Sequence, residues 1–117
     1  RPQVSLHVSF SGRAEADLTN QYRWYLDYAT AEVAERFLKA FDARIEMLRD
    51  FPEIGQPRRF RAPELRGTKS LVVGRPFSNH LIFYRTDDGG LSIERVMHGA
   101  RDLERRLLEP PENFSES

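Results

Sequence analysis

Cysteine is absent from the chain. That excludes a disulfide framework and any thiolate metal site, and it accords with a reducing cytoplasm. Long apolar runs are absent too. The longest, Leu81-Ile82-Phe83-Tyr84, falls far short of the ~20 residues that span a membrane as a helix, so no membrane association is expected. No charged-then-apolar leader precedes the first strand-like segment, and no signal peptide is expected. Histidine is scarce: His7, His80 and His98 form no HxxH or HExxH spacing, which leaves no basis for a zinc site. A glycine-rich phosphate loop, a nucleophile elbow and a Ser/His/Asp spacing are also missing. Neither a cofactor nor a metal is expected.

What is present is globular chemistry. With 117 residues, 39% hydrophobic and 31% charged, the chain can bury one core without staples. A single domain is expected over residues 1–108, followed by an acidic, disordered tail at 109–117. Formal net charge is zero but unevenly spread. Residues 1–57 carry 7 basic and 9 acidic side chains, whereas residues 58–108 carry 11 and 6, a balance of +5. Sixteen of the 18 basic residues are arginine, whose planar fork pairs with carboxylate and phosphate and stacks on flat rings. The second half therefore suits a polyanion or an acidic peptide. The blander alternative is a solvated arginine face with local ion pairs.

Val4, Leu6, Val8 and Phe10 alternate with polar residues, the period of a half-buried strand. Ala14, Leu18, Tyr22, Tyr25 and Ala29 recur at helical spacing after a start at Ser11 or Gly12. Thr30 is a good N-cap for a second helix, with Glu32 in its first turn. Its buried stripe is Val33, Phe37, Phe41, Ile45 and Leu48, with Leu38 and Phe51 beside it, and Pro52 ends it. The two helices, joined by only a few residues, should form an antiparallel hairpin. Residues 53–68 read as loop. Short strands follow at Leu71–Val73, at Phe77–Arg85 and, after the turn Asp87-Asp88-Gly89-Gly90, at Leu91–His98. In the last strand Ile93 and Val96 fall on opposite faces, which points to a bulge or to burial on both sides. Arg101–Leu108 reads as a short helix presenting Leu103, Leu107 and Leu108. The expected fold is α+β: an N-terminal strand, then an antiparallel helical hairpin packed on a three- to four-stranded antiparallel sheet, then a short C-terminal helix.

Six segments carry a resemblance. They are Ala14-Glu15-Ala16-Asp17-Leu18, Phe51-Pro52-Glu53-Ile54-Gly55-Gln56-Pro57, Leu65-Arg66, Val73-Gly74-Arg75, Leu81-Ile82-Phe83-Tyr84-Arg85, and Arg95-Val96-Met97-His98-Gly99-Ala100-Arg101-Asp102. In this order and spacing the chain resembles the ParE/RelE toxin superfamily, its ParE branch most closely, over roughly residues 4–108. The resemblance implies a bacterial toxin held inactive by a cognate antitoxin in a hetero-oligomeric complex. For the ParE branch it implies a non-enzymatic inhibitor of DNA gyrase. For the RelE branch it implies an endoribonuclease acting on messenger RNA at the ribosome. A member that only binds antitoxin is a third reading.

RNA cleavage through the 2′-hydroxyl needs a base, an acid and cations for the phosphorane. His98, Arg101 and Lys69 are the candidates if the chain is a ribonuclease. RelE-like chains place a tyrosine or histidine near the C-terminus, where this chain has Arg105, Arg106, Leu107 and Leu108, so gyrase inhibition is the first expectation. Arg101-Asp102 can also be read as an ion pair capping the terminal helix. Arg66, Arg75, Arg85 and Arg101 are candidates for one arginine-rich, target-binding sheet face. Trp24, Tyr25 and Tyr28 exceed what a thin two-layer domain needs for its core. They are the candidate antitoxin-binding residues, because tyrosine and tryptophan anchor interfaces.

Overall fold

Two hydroxyl caps set the helices. The Ser11 hydroxyl accepts from the Ala14 amide at 2.9 Å and the Thr30 hydroxyl from the Val33 amide at 3.1 Å, each satisfying an orphan donor of a first turn. The computed structural model describes residues 6–99 and 101–111. Val4 and residues 112–117 of the expected tail lie outside the described residues. Helix α1 runs Gly12–Tyr28 and α2 Ala31–Asp50. They follow strand β1, His7–Phe10. Strand β2 is the two-residue Gln56–Pro57, followed by a 3₁₀ turn at Pro63–Leu65. Strands β3 (Lys69–Val72), β4 (His80–Asp87) and β5 (Gly90–His98) lead to helix α3, Leu103–Leu108.

The α+β class and the helical hairpin are as expected, but the sheet is larger. Among the described residues it has five strands in the order β1-β5-β4-β3-β2, and β1 pairs with β5 in parallel, His7 opposite Gly90. The long helical crossover between β1 and β2 carries the chain to the far edge of the sheet, which allows a parallel neighbour. The remaining pairs are antiparallel. Tyr84 faces Ile93 while Phe83 faces Arg95, so Glu94 is the extra residue of a bulge. That insertion brings Ile93 and Val96 into one core cluster, although their spacing places them on opposite faces of a regular strand.

The larger core lies under the hairpin. Ala14, Phe37, Phe41, Ile45 and Leu48 pack on Ile82, Tyr84, Leu91, Ile93 and Val96. Phe51, expected beside this stripe, is 55% exposed, because the α2 cap turns the chain away at Pro52. On the opposite face Leu65, Phe83, Met97 and Leu107 form a smaller core beneath the 58–66 loop and α3.

Tyr84 joins two of the sequence signposts. Its hydroxyl donates to the Pro52 carbonyl at 2.8 Å and accepts from the Gly55 amide at 2.9 Å. A Cβ at residue 55 would stand 2.2 Å from that hydroxyl oxygen, so only glycine fits there. A second junction joins two more. Asp17 and Arg95, both nearly buried, pair at 2.8 Å, and the Asp17 carboxylate also accepts from the Val96 amide at 2.9 Å. Among the described residues no strand flanks the outer edge of β5 beyond Ile93, and α1 supplies the acceptor that a strand would otherwise give. The remaining guanidinium nitrogen of Arg95, Nη1, donates to the carbonyls of Arg106 and Glu109 at 3.1 and 2.7 Å, tying α3 to α1.

Candidate functional site

The aromatic residues of α1 divide into an anchor and an exposed pair. Tyr25 leans inward against Phe37 and Phe77, with ring centroids 5.4 and 5.7 Å away. Its hydroxyl lies 2.8 Å from His80 Nε2. Trp24 packs edge-on to Tyr25 at 5.5 Å and beside Tyr28 at 5.4 Å. Trp24 is 42% and Tyr28 74% exposed. The three candidates therefore form one contiguous surface whose root, the half-buried Tyr25, packs against the core.

His80 is fully buried among Tyr25, Phe37 and Phe77. Burial, with the neighbouring His98 as a lesser cause, lowers its pKa from 6.5 to about 4. It is neutral at pH 7. Burial likewise raises the Tyr25 pKa. His98 lies across the strand pair from His80, exposed, with its ring edge-on at 4.8 Å. Its carbonyl accepts from Arg106 at 2.7 Å. After it, Gly99 takes a positive φ of 86°, a turn only glycine makes without strain.

Strand register divides the cationic candidates. Lys69 is opposite Tyr84, while His98 is opposite His80, an offset of about 13 Å along the sheet at ~3.3 Å per residue. Lys69 pairs with Glu53 at 3.5 Å. Arg66, which ends the 3₁₀ turn just before β3, and Arg85 on β4 belong to the Lys69 end. Arg75, beyond the end of β3, and Arg101, just after β5, belong to the His98 end. Arg66, Arg75 and Arg101 are exposed, and Arg85 is half-buried with its guanidinium donating to the Glu64 carbonyl. The four arginines are thus distributed as two pairs, one toward each end of the strands.

The expected Arg101–Asp102 cap does not form. Asp102 sits in the left-handed region at φ 52° and makes no side-chain cap bond, because a capping side chain needs extended backbone at that position. Its carboxylate pairs with Arg105 at 3.6 Å.

Sequence reading missed the nearly buried ion pair Asp17–Arg95. Both residues lie within resembling segments, but nothing in the spacing of residues 17 and 95 shows that they meet. Together they line a cleft of about 220 Å³ between α1 and α3, with the outer edge of Val96–His98 as its floor. Among the described residues no helix is long and apolar enough to cross a membrane.

Comparison with known proteins agrees with this arrangement. Two solved structures share the fold. A chain of the chromosomal ParDE toxin–antitoxin system from P. aeruginosa superposes with a TM-score of 0.66 and 19% identity, covering 82% of this chain and 98% of that one. A chain of the RelBE2 toxin–antitoxin complex from Mycobacterium tuberculosis superposes with a TM-score of 0.53 and 23% identity, covering 83% and 94%. No curated protein matches by sequence. The family model for the ParE toxin of the type II toxin–antitoxin system parDE matches residues 8–103. With that match over most of its length, the chain belongs to the ParE toxin family, within the ParE/RelE superfamily of type II toxins.

Proposed function

We propose that this toxin acts by binding DNA gyrase rather than by cleaving RNA, and that its antitoxin neutralises it by covering the aromatic surface of α1. The observation that carries the non-enzymatic reading is the separation of the ribonuclease candidates. Lys69 lies about 13 Å along the sheet from His98, taking ~3.3 Å per residue, and general acid–base catalysis needs its groups within hydrogen-bond reach of one substrate. Leu107, near the C-terminal position where RelE-like chains carry a proton donor, is buried in the smaller core.

Inducible expression without antitoxin, followed in parallel by plasmid supercoiling and by transcript mapping, tests this. Filamentation, DNA-damage signalling and disturbed supercoiling are expected. Immediate loss of translation with site-specific message cleavage would replace gyrase by the ribosome.

The antitoxin surface has its own test. Trp24→Ala should weaken antitoxin binding by ~1–3 kcal/mol, the range of an interface anchor, with the melting curve unchanged. Unaltered affinity in calorimetry would remove Trp24 from the interface. For the target, Arg66, Arg75 and Arg101 are proposed to make charge-assisted contacts. Exchange of each for lysine keeps charge but loses the fork. Because Arg66 stands apart from the other two, loss of toxicity confined to Arg75→Lys and Arg101→Lys would assign the contact to the His98 end.

A further inference from the structure

On the sheet face away from the helical hairpin, a cleft of about 340 Å³ opens between the start of α1, the 3₁₀ turn and α3. Its volume lies within the range of small-ligand sites, roughly 300–1,000 Å³. Phe83, Leu65 and Leu107 give it apolar walls, all three buried, and the exposed Leu108 forms a lip. Two guanidinium groups, Arg13 and Arg85, line it as well. Among the described residues neither is ion-paired. Arg13 makes one long contact, 3.5 Å to the Glu109 carbonyl. Arg85 donates to the Glu64 carbonyl, but its Nε is buried and has no acceptor.

A buried charged donor without an acceptor is costly, and native structures provide one. The third arginine in the cleft, Arg95, is already neutralised by Asp17. Glu64 and Glu94 also border the space; the Glu94 carboxylate accepts from the Ser92 hydroxyl at 2.6 Å, and among the described residues neither carboxylate pairs with an arginine. What a ligand meets is an apolar floor flanked by two cations that, among the described residues, form no ion pair.

We propose that this cleft binds a carboxylate carried on an apolar body, as in the C-terminal leucine of a peptide. The carboxylate would sit between Arg85 and Arg13, and the side chain would lie over Phe83 against Leu65 and Leu107. Capture of a chain end through its carboxylate is an established mode of peptide recognition. The site is on the opposite sheet face from the α1 aromatic surface and stands independently of the gyrase reading.

The test uses the full chain and three probes: the pentapeptide Gly-Gly-Ser-Ala-Leu with a free carboxylate, the same peptide as its C-terminal amide, and N-acetyl-leucine. The free acid should bind about tenfold or more tighter than the amide, as expected for charge-assisted bonds. It should also shift the amide resonances of Thr68, Phe83 and Arg85. Arg85→Gln and Arg13→Gln should each reduce acid binding by about tenfold and leave amide binding unchanged. Arg13 is exposed, so that variant keeps the test decisive if Arg85→Gln perturbs folding. N-acetyl-leucine binding as tightly as the peptide assigns the site to free acids, and tighter binding of the peptide assigns it to chain ends. Equal affinity of acid and amide, unmoved cleft resonances, or acid binding unaffected by Arg13→Gln in the folded protein would overturn the proposal.

Discussion

The two faces of the sheet are closed by different means. Under the helical hairpin the seal is carbon: Phe37, Phe41, Ile45 and Leu48 lie flat on β4 and β5. On the other face the apolar seal is small, and directional bonds complete it. The Ala62 amide donates to the Glu104 carboxylate at 2.7 Å, Arg95 holds the carbonyls at the end of α3, and Arg106 holds the His98 carbonyl. A seal of buried carbon opens only with the whole fold, whereas one of few, discrete bonds can open in parts. The hairpin face is therefore a frame and the α3 face a cover, and amide hydrogens of α3 should exchange well before those of α2.

Experiments can break this contrast. The largest effect is expected at Arg95, where Arg95→Leu leaves the buried Asp17 carboxylate without its cation. A loss of ~3–5 kcal/mol in denaturant unfolding is expected for one broken partner of a buried pair. Replacing Asp17 by leucine as well should restore part of it. A single-variant loss near zero would mean that the polar seal contributes nothing. Gly55→Ala strikes the frame: its Cβ would meet the Tyr84 hydroxyl at 2.2 Å, and a loss of about 3 kcal/mol is expected from overpacking with disrupted hydrogen bonds. If Gly55→Ala melts like wild type, the Tyr84 clamp is not part of the frame.

The pH dependence sharpens the same comparison. His80 in the frame has its pKa lowered from 6.5 to about 4, so as pH falls the unfolded chain takes up the proton first. Stability from this residue is full above pH 6.5 and is lost progressively down to pH 4. The loss amounts to ~3–4 kcal/mol at about 1.4 kcal/mol per pKa unit. His80→Phe should flatten that part of the profile, and an equally steep profile in the variant would assign the loss to other groups. The smallest effect is expected at Trp24, where alanine should change unfolding stability by no more than ~0.5 kcal/mol, as for a surface site. A loss above 2 kcal/mol would move Trp24 from the surface into the frame.

The parts that could be read in the sequence obey short-range rules. Thr30 and the Phe37–Leu48 stripe defined α2, because caps and helical period act within a few residues. Ile82 and Tyr84 lie in one core cluster and Phe83 in the other, with Leu81 packed against it, as the period of a strand alone requires. The conflict between Ile93 and Val96 points to a bulge or to burial on both sides, and the strand pairing shows the bulge. What could not be read depends on long-range placement. The parallel docking of β1 on β5 joins residues 7–10 to 90–93, and no local pattern specifies which edge a strand joins. Asp17 and Arg95 looked like two ordinary surface charges until the fold brought them together. The arginine candidates were chosen by charge density in sequence, and charge density does not show which end of a strand a side chain occupies.

Trp24 is the chain's lone tryptophan, and its setting gives the toxin a built-in optical reporter. Its indole is part-exposed and lies within 6 Å of two tyrosine rings, close enough for them to feed it excitation energy. Emission from this protein therefore reports on the end of α1 rather than on the core. A partner that covers this surface should shift the emission to shorter wavelength with no label attached, while ligands on the opposite sheet face should leave the spectrum unchanged.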